Sequence, residues 1–501
     1  MTRIRIILIS AFLLLSLVAS GWLAQAQAQA RDEHFSDERI AAIDALIEER
    51  LSEIHIPGAA LVLVENGEIV HARGYGYANL EHRTPVTPQT IFAIGSVSKS
   101  FIANVILQMQ ADGMLSLEDP VTQHLPSFRS RSKTNSDSIT VRDLMQHTSG
   151  FSMFDGNRHQ TDTSREDDAL ARVVSKTRHY RLNRPVGASF EYSNANYETL
   201  GHLIEVVDGR LLEQVVEQRI FKTAAMPSTG ILRDEVADLA TPYRFILSTP
   251  RPFAFRPGRA IGPKGGVYTN AEDMGAYLIS LVSTQSSIAA WSSDWATEAV
   301  SAGEFSYGPG WMVFDSGLGP LVKHNGMNGG YSALAGFAPD LDAGFAIMLN
   351  ASRGSVAGDV EYLTEGAWAL AFDQSGPARM IGQAQWIQLL IVSSLLIATG
   401  IWAAVFFLRL RNQKVCAPES LLAAIAKIWL PSILLLPIAY LALRALPVMF
   451  GLPLEALRLF VPDIGYLMSA MGYLAFGLAF VRPLAISIYA VRNTGESRAQ
   501  P

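Results

Sequence analysis

The chain has 501 residues, enough for two to four domains. Hydrophobic residues make up 49% and charged residues 17%, with a mean hydropathy of +0.20, so the composition disfavours a wholly soluble chain and places part of it in lipid. The net charge of −6 divides into +2 for residues 1–30, +5 for 386–501 and −13 for 31–385, and the acidic middle has no Lys/Arg-rich run, which argues against nucleic acid as a partner.

Cysteine and histidine usage argues against metal and redox chemistry. Cys416 is the only cysteine, so one chain can form neither an internal disulfide nor a thiolate metal cluster. The ten histidines include no HExxH motif and no His-x-His pair, which leaves zinc hydrolysis without a local signature. The sequence therefore predicts a protein that works without a cofactor or a metal.

The N-terminus has the layout of a secretory signal. Arg3 and Arg5 precede an apolar run over 6–24, and alternating alanines then lead to Ala30. This order predicts a signal peptide over residues 1–30. An uncleaved signal anchor stays open as an alternative, and either outcome exports the residues that follow.

The first elements after the signal are a helix and a hairpin. Apolar residues recur at helical spacing over 40–51, which predicts a helix that packs on a sheet. Two strand-like runs over 58–70 flank Asn66-Gly67, the dipeptide most typical of a tight β-hairpin. A β-hairpin therefore begins the fold.

The next predicted helix starts close to a serine and a lysine. Apolar residues at helical spacing follow Ser96 and end near Gly113. Ser96 and Lys99 are three residues apart, which places hydroxyl and amine on one helical face. A serine hydroxyl needs an adjacent base, and a lysine desolvated among apolar residues loses its proton more readily. This pair is a candidate nucleophile and base.

A tyrosine and an asparagine precede a later helix. Tyr192-Ser193-Asn194 stands just before a helix-like run over 197–207. A phenol at this place can relay a proton, and the Asn194 amide can orient a substrate or Lys99. Taken alone, Tyr192 is more often a packed aromatic of a turn.

The body ends with strands and a helix. Strand-like runs cover 311–314, 321–324, 331–338 and 345–349, and a helical stretch covers 355–372. Strands near both ends with helical sequence between them predict one α+β domain over residues 31–385. Its antiparallel sheet is built from both termini and carries an inserted helical subdomain.

A glycine-rich segment lies within these late strands. Residues 323–331 contain His324-Asn325-Gly326-Met327, and glycines let a backbone approach a ligand closely at a strand edge. His324 by itself is more often a structural residue than a ligand contact.

Three apolar stretches in residues 386–501 predict membrane crossings, over 386–408, 421–446 and 464–481. The last stretch has a re-entrant or interfacial hairpin as its alternative. Basic residues follow the first and third stretches, and such clusters remain cytoplasmic. The orientation places residues 31–385 outside the membrane. The basic residues are Arg409, Arg411, Lys414, Arg482, Arg492 and Arg498.

The three motifs together, Ser96-x-x-Lys99, Tyr192-x-Asn194 and His324-x-Gly326, resemble in type and order those of the class C β-lactamase and penicillin-binding-protein-like serine hydrolases. The resemblance covers roughly residues 40–370 and implies the β-lactamase/transpeptidase-like fold. Further segments are similar to that family's sequences in its order, at 92–101, 113–121, 139–150 and 265–273.

The resemblance implies an acyl-enzyme mechanism. Ser96 attacks a carbonyl, Lys99 and Tyr192 share the proton transfers, and water releases the acyl group. The backbone N–H groups of Ser96 and of Met327, which follows Gly326, would hold the oxyanion.

The same resemblance implies a role for each of two other residues. Asn194 would contact the substrate. His147, in His147-Thr148-Ser149-Gly150, is expected to serve a structural helix-ending turn without a chemical role.

The third motif departs from the family pattern. β-Lactamases and carboxypeptidases of this type carry Lys-Thr-Gly there, whereas His324 is largely neutral at pH 7. Carboxylate recognition is therefore in doubt, and the motif is more similar to the esterase and D-amino-acid peptidase branches. We expect no strong β-lactam turnover.

The leading hypothesis is a membrane-anchored, outward-facing serine hydrolase of the bacterial envelope that cleaves an ester or amide. Its partners would be the membrane and a small-molecule or peptide substrate, envelope-derived or lipid-linked. The alternative is an acylation-dependent sensor or a non-catalytic binding protein of penicillin-recognising type. Transport has little support, because the three stretches offer no buried acidic pair.

Overall fold

A computed structural model describes residues 34–131, 136–233, 236–246, 249–282, 300–352, 360–376, 383–411, 422 and 429–496. The predicted signal peptide, 1–30, lies outside the described residues. So does part of the second predicted membrane stretch, 421–446.

The strands and helices are labelled in chain order. The strands are β1 Gly58–Glu65, β2 Glu68–Asn79, β3 Thr84–Pro85, β4 Phe92–Ala93, β5 Gly230–Ile231, β6 Tyr243–Ile246, β7 Thr249–Pro252, β8 Val267–Thr269, β9 Val300–Ser301, β10 Ser306–Gly308, β11 Trp311–Ser316, β12 Gly319–Asn328, β13 Tyr331–Ala338, β14 Ala343–Leu349 and β15 Ala351–Ser352.

The helices of the body are α1 Asp37–Ile54, α2 Ser98–Ala111, α3 Val121–His124, α4 Val141–Met145, α5 Met153–Gly156, α6 Ala169–Ser175, α7 Asn194–Asp208, α8 Leu212–Val216, α9 Gly262–Gly265, α10 Ala271–Val282 and α11 Val360–Ala371. The C-terminal helices are α12 Gln383–Arg411, α13 Leu430–Ile433, α14 Leu435–Tyr440, α15 Leu446–Met449, α16 Leu454–Phe460 and α17 Pro462–Glu496. Shorter 3-10 or π turns are Gly95–Val97, Lys176–His179, Glu217–Phe221, Arg259–Ile261, Pro339–Leu341 and Leu441–Ala445.

The main sheet joins the two ends of the body, as predicted. Its order is β3-β2-β1-β14-β13-β12-β11-β10-β9, and the pairs are antiparallel. At its centre β1 pairs with β14, with Leu61 opposite Ile347. The α+β fold with a sheet from both termini is confirmed, because the strands of the first hairpin lie beside those of the late segment.

The first hairpin turns at Asn66-Gly67, also as predicted. Both residues have positive φ, 52° and 79°. Two consecutive residues in the left-handed region match the right-handed twist of the flanking strands, which is why Asn-Gly favours this turn.

Both faces of the sheet are covered. Along β1, Ala60, Val62 and Val64 belong to the core under the inserted helices, whereas Leu61 and Leu63 belong to a second core. Helices α1 and α11 cover the second core. Because successive side chains of a strand point to opposite faces, an eight-residue strand buried along its whole length requires this three-layer arrangement.

The inserted subdomain between β4 and β9 contains a buried charge cluster. Arg259 is 1% exposed, and its guanidinium contacts the carboxylates of Glu205 and Glu213. It also donates to the Asp167 carbonyl oxygen at 2.8 Å. The cluster ties the turn before α9 to helices α7 and α8.

Among the C-terminal residues that the structure describes, one helix is long and apolar enough to cross a membrane, over Pro462–Ile488 within α17. The pair Leu435–Met449 and Leu454–Phe460, bent by 69°, adds a second candidate if it forms one span. The predicted stretch 386–408 lies inside α12, and 464–481 lies inside α17, which continues through Pro483 to Glu496. Their membrane side remains a prediction.

The Arg259 cluster generates a stability prediction. Replacing Arg259 by Met leaves the half-buried Glu205 carboxylate without its arginine, whereas Glu213 keeps Arg233, and we expect a loss of about 1–3 kcal/mol. The measurement is the thermal unfolding of the detergent-solubilised protein. Arg172→Met removes an exposed pair with Asp168 and should cost less than about 1 kcal/mol. Equal losses in both variants would contradict the account.

Candidate active site

Ser96 and Lys99 meet where a 3-10 turn passes into helix α2. The turn is Gly95–Val97 and the helix begins at Ser98, so Ser96 lies two residues before the α-helical segment. Lys99 Nζ is 3.1 Å from Ser96 Oγ. The helical spacing expected from the sequence therefore places the amine at the hydroxyl.

The Lys99 amine is buried without a carboxylate in direct contact. Its side chain is fully buried, and Nζ donates to the Lys264 carbonyl oxygen at 2.6 Å. Burial lowers the pKa of Lys99 well below its ordinary value, and the charge of Lys264 lowers it further, against an opposing effect of Glu198. This environment favours the unprotonated amine, whose lone pair can accept the proton of Ser96.

Tyr192 also forms a hydrogen bond with Ser96 Oγ. Its hydroxyl donates to Ser96 Oγ at 2.9 Å, and its ring lies 5.0 Å from Lys99 Nζ. Burial raises the pKa of Tyr192 well above its ordinary value. The phenol therefore keeps its proton, and three groups that are distant in sequence converge on one hydroxyl.

His147 lies behind Tyr192. It has positive φ (58°) after α4, as expected for a helix-ending residue, and it is fully buried. Its Nδ1 accepts from the Ser193 backbone N–H at 3.1 Å and from Asn196 Nδ2 at 2.9 Å, and its ring centroid is 4.5 Å from that of Tyr192. Burial lowers the pKa of His147, so a neutral ring fixes the start of α7 and the tyrosine before it.

His324 lies beneath the site and not on the cavity surface. Its Nδ1 contacts the Asn325 carbonyl oxygen at 2.6 Å, and its Nε2 lies 3.1 Å from the Tyr307 hydroxyl. Burial lowers the pKa of His324 to about 3. With Nδ1 as donor, Nε2 accepts from Tyr307.

Strand β12 runs directly beside the serine turn. A Cβ on Gly326 would lie 1.8 Å from the Ile94 carbonyl oxygen, and one on Gly95 would lie 2.3 Å from the Met327 nitrogen. Only glycines permit this approach of two backbones. It brings the Met327 nitrogen to the turn that carries Ser96, and the oxyanion role of that N–H stays a prediction.

A cavity of about 250 Å³ opens at Ser96. Asn194 lines it: its Nδ2 donates to Asn157 Oδ1 at 2.9 Å, and its buried Oδ1 has no hydrogen-bond partner among the described residues. An acceptor without a partner can receive a donor from a substrate. The lining residues are Ser96, Met153, Asn157, Gln160, Tyr192, Asn194, Ile261, Lys264, Gly265, Asn325, Gly326, Met327, Asn328, Ser332, Ala333, Val360, Glu361, Thr364, Leu452 and Phe460.

Sequence reasoning missed several residues of the site. Lys264 and Glu198, 2% and 1% exposed, form an ion pair behind Lys99, although Lys264 stands among glycines directly before the family-like segment 265–273. Leu452 and Phe460 come from the C-terminal region and carry no local signal. In the part of the chain that the structure describes, no group of three or more His, Cys, Asp or Glu side chains forms a metal site.

Comparison with known proteins finds relatives of the same kind in each search. A family model described as Beta-lactamase matches residues 43–366. Protein flp of Staphylococcus aureus (strain MW2) is 25% identical over 329 residues, which cover 64% of this chain and 65% of that protein. The Putative penicillin-binding protein PbpX of Bacillus subtilis (strain 168) is 34% identical over 200 residues, 40% of this chain and 48% of that protein. The chain thus spans less than two thirds of the length of either relative.

A solved structure agrees with this result. The octameric penicillin-binding protein homologue from Pyrococcus abyssi superimposes with a TM-score of 0.56 at 26% identity, over 71% of this chain and 81% of that chain.

The contact between β12 and the serine turn can be tested by adding one methyl group. In Gly326→Ala the new Cβ would overlap the Ile94 carbonyl oxygen, and we expect a loss of about 1–3 kcal/mol or more together with displacement of the turn. Thermal unfolding of the purified protein measures the loss. The control is Gly317→Ala, whose Cβ meets nothing within 4 Å, and which should change stability by less than about 0.5 kcal/mol.

Proposed function

This chain belongs to the beta-lactamase family, and we propose that it is a membrane-anchored serine hydrolase that cleaves an ester or amide bond through an acyl-enzyme on Ser96. The observation that carries the proposal is the convergence of Lys99 Nζ and the Tyr192 hydroxyl on Ser96 Oγ, at 3.1 and 2.9 Å. The family includes serine hydrolases.

The first step uses the neutral state of Lys99. Its lone pair accepts the Ser96 proton while Oγ forms a bond to the carbonyl carbon of the substrate. The carbonyl π electrons move to oxygen and give a tetrahedral alkoxide. The backbone N–H groups of Ser96 and Met327 stabilise that charge.

Collapse of the intermediate requires an acid at the leaving group. The Tyr192 phenol gives its proton to the leaving oxygen or nitrogen and recovers one from Lys99, as the carbon–leaving-group bond breaks. A water molecule then attacks the Ser96 ester by the same proton path in reverse and releases the acid. Opposite pKa shifts, down for Lys99 and up for Tyr192, keep the base unprotonated and the acid protonated at one pH.

The surroundings of the third motif favour substrates without an obligatory carboxylate. His324 is neutral and buried beneath the cavity, so it supplies no fixed cation there. The two nearby lysines have acidic partners, Lys264 with Glu198 and Lys323 with Glu365. We therefore favour ester or amide hydrolysis over strong β-lactam turnover, with a small molecule or peptide of the envelope as substrate.

Contacts with the C-terminal region are consistent with the proposed order of membrane crossings. Asn157 Nδ2 donates to the Gly451 carbonyl oxygen at 3.3 Å, which requires both to lie on the same side of a membrane. In the topology proposed from the basic clusters, the connection between the second and third crossings lies outside with residues 31–385. The two placements agree.

Replacement of the nucleophile is the direct test. Ser96→Ala should abolish labelling by a fluorophosphonate probe and lower ester turnover by about 10⁴-fold or more. Ser332→Ala removes another hydroxyl that lines the cavity, and it should keep the label. Labelling that persists without Ser96 would refute the serine assignment. A stoichiometric acylation burst without turnover would favour the sensor or binding protein.

The pH dependence tests the buried lysines. Lys99 is active when unprotonated, so kcat/KM falls as the pH drops through its pKa. Removing the Lys264–Glu198 pair by Lys264→Met with Glu198→Gln takes away a net lowering effect, because Lys264 acts more strongly on Lys99 than Glu198 does. The acid limb of the pH–kcat/KM profile should move to higher pH.

The control for this shift is the double variant Lys323→Met with Glu365→Gln. It removes a similar ion pair that does not contribute to the pKa of Lys99, so the acid limb should stay in place. An unchanged profile in the Lys264 double variant would contradict the electrostatic account of Lys99.

A further inference from the structure

Two residues of the C-terminal region form part of the wall around Ser96. Leu452 and Phe460 line the same cavity, although they lie more than 350 positions after the serine. Both belong to the connection between α15 and α17, residues 450–461. The region proposed as a membrane anchor thus also shapes the cleft.

The connection is held against the body by several contacts. The Gly451 carbonyl oxygen accepts from Asn157, and Glu455 accepts from the Thr161 hydroxyl at 3.2 Å. A Cβ on Gly451 would lie 3.1 Å from Met153 Sδ. Hydrogen bonds and van der Waals contact together fix this wall relative to α5.

The rim of the cleft is apolar and continuous with the anchor surface. Met153 and Met327 line the cavity and are 40% and 36% exposed. Val448, Met449 and Phe450, directly before the connection, are 47%, 79% and 39% exposed. Exposed apolar residues in a row are typical of a surface that contacts lipid, and this row ends at the mouth of the cavity.

The cavity is too small to enclose a long substrate. Its volume of about 250 Å³ is below the roughly 300–1,000 Å³ of pockets that surround a small ligand. It has room for the scissile group and the adjoining carbons, so a longer chain extends beyond it, and Met153, Met327 and Leu452 offer that chain an apolar surface. Leu452 stands two positions after the exposed apolar residues Val448, Met449 and Phe450.

We propose that the substrate is a long-chain acyl ester from the bilayer, whose chain lies along the apolar wall formed by Met153, Met327, Leu452 and Phe460. This inference rests on the proposed function. The acyl carbon forms its bond to Ser96 Oγ as the ester C–O bond breaks and the alcohol leaves with a proton, and water then releases the fatty acid.

The experiment compares chain lengths with the full-length protein in nanodiscs. p-Nitrophenyl acetate and p-nitrophenyl decanoate supply the same leaving group with a short or a long acyl chain. Each methylene buried in the cleft should raise kcat/KM by roughly fourfold until the wall ends. We expect a decanoate-to-acetate ratio well above one, and at least a tenfold fall in that ratio for Leu452→Ala.

A second variant guards against a loss that only reflects poor folding. Leu452→Trp places a larger side chain in the cleft and should move the acyl chain length with the highest kcat/KM toward shorter chains. An unfolded protein cannot show such a change of preference. Leu484→Ala and Phe476→Ala make similar truncations on exposed positions of α17, and both should keep the wild-type ratio.

The outcomes separate the two proposals. Acetate turnover with no gain for longer chains, or an unchanged ratio in Leu452→Ala, would overturn the lipid substrate and leave the serine hydrolase intact. A wild-type protein that neither turns over any ester nor takes the fluorophosphonate label on Ser96 would overturn both.

Discussion

The burial of one amine is the constraint on which the site depends. Lys99 and Lys264 are both buried, but Lys264 has Glu198 as a direct partner, whereas Lys99 contacts a hydroxyl and a backbone carbonyl oxygen. Removing an ammonium from water without a carboxylate beside it is costly, so the unprotonated form is favoured. One lysine is therefore paired with a carboxylate, and the other is placed to act as a base. Helix α7 carries Glu198, and Tyr192 lies two residues before the helix, so the same element serves both lysines.

The position of Ser96 is fixed by the main sheet. Strand β12 is paired with β11 and β13 over most of its length and cannot shift alone. The glycines Gly95 and Gly326 remove the side chains that would separate the strand from the serine turn. A nucleophile held in this way needs no rearrangement when charge develops on the substrate oxygen, which is how preorganised sites lower a barrier.

Catalytic body and C-terminal helices form one cleft in this protein. An anchor that only tethers would share few specific contacts with the domain it carries. Here the connection 450–461 supplies side chains to the cavity wall and a carbonyl oxygen to Asn157. In the proposed anchored protein, these contacts set the distance between the scissile bond and the bilayer. Under the two proposals, anchoring and substrate selection depend on the same residues.

The amino-acid sequence by itself determined what depends on neighbours in the chain. Asn66-Gly67 fixed the hairpin turn, and the spacing of Ser96 and Lys99 placed an amine within reach of a hydroxyl, because helical geometry acts over three or four residues. The sequence also predicted one sheet built from both ends of the body, because strand-like runs occur near both ends and a strand needs a neighbouring strand for its backbone hydrogen bonds. Only the tertiary structure decided that His324 lies beneath the cavity, that Lys264 meets Glu198, and that Leu452 and Phe460 complete the wall. These contacts join residues tens to hundreds of positions apart, and their energies come from burial, which no local pattern reports.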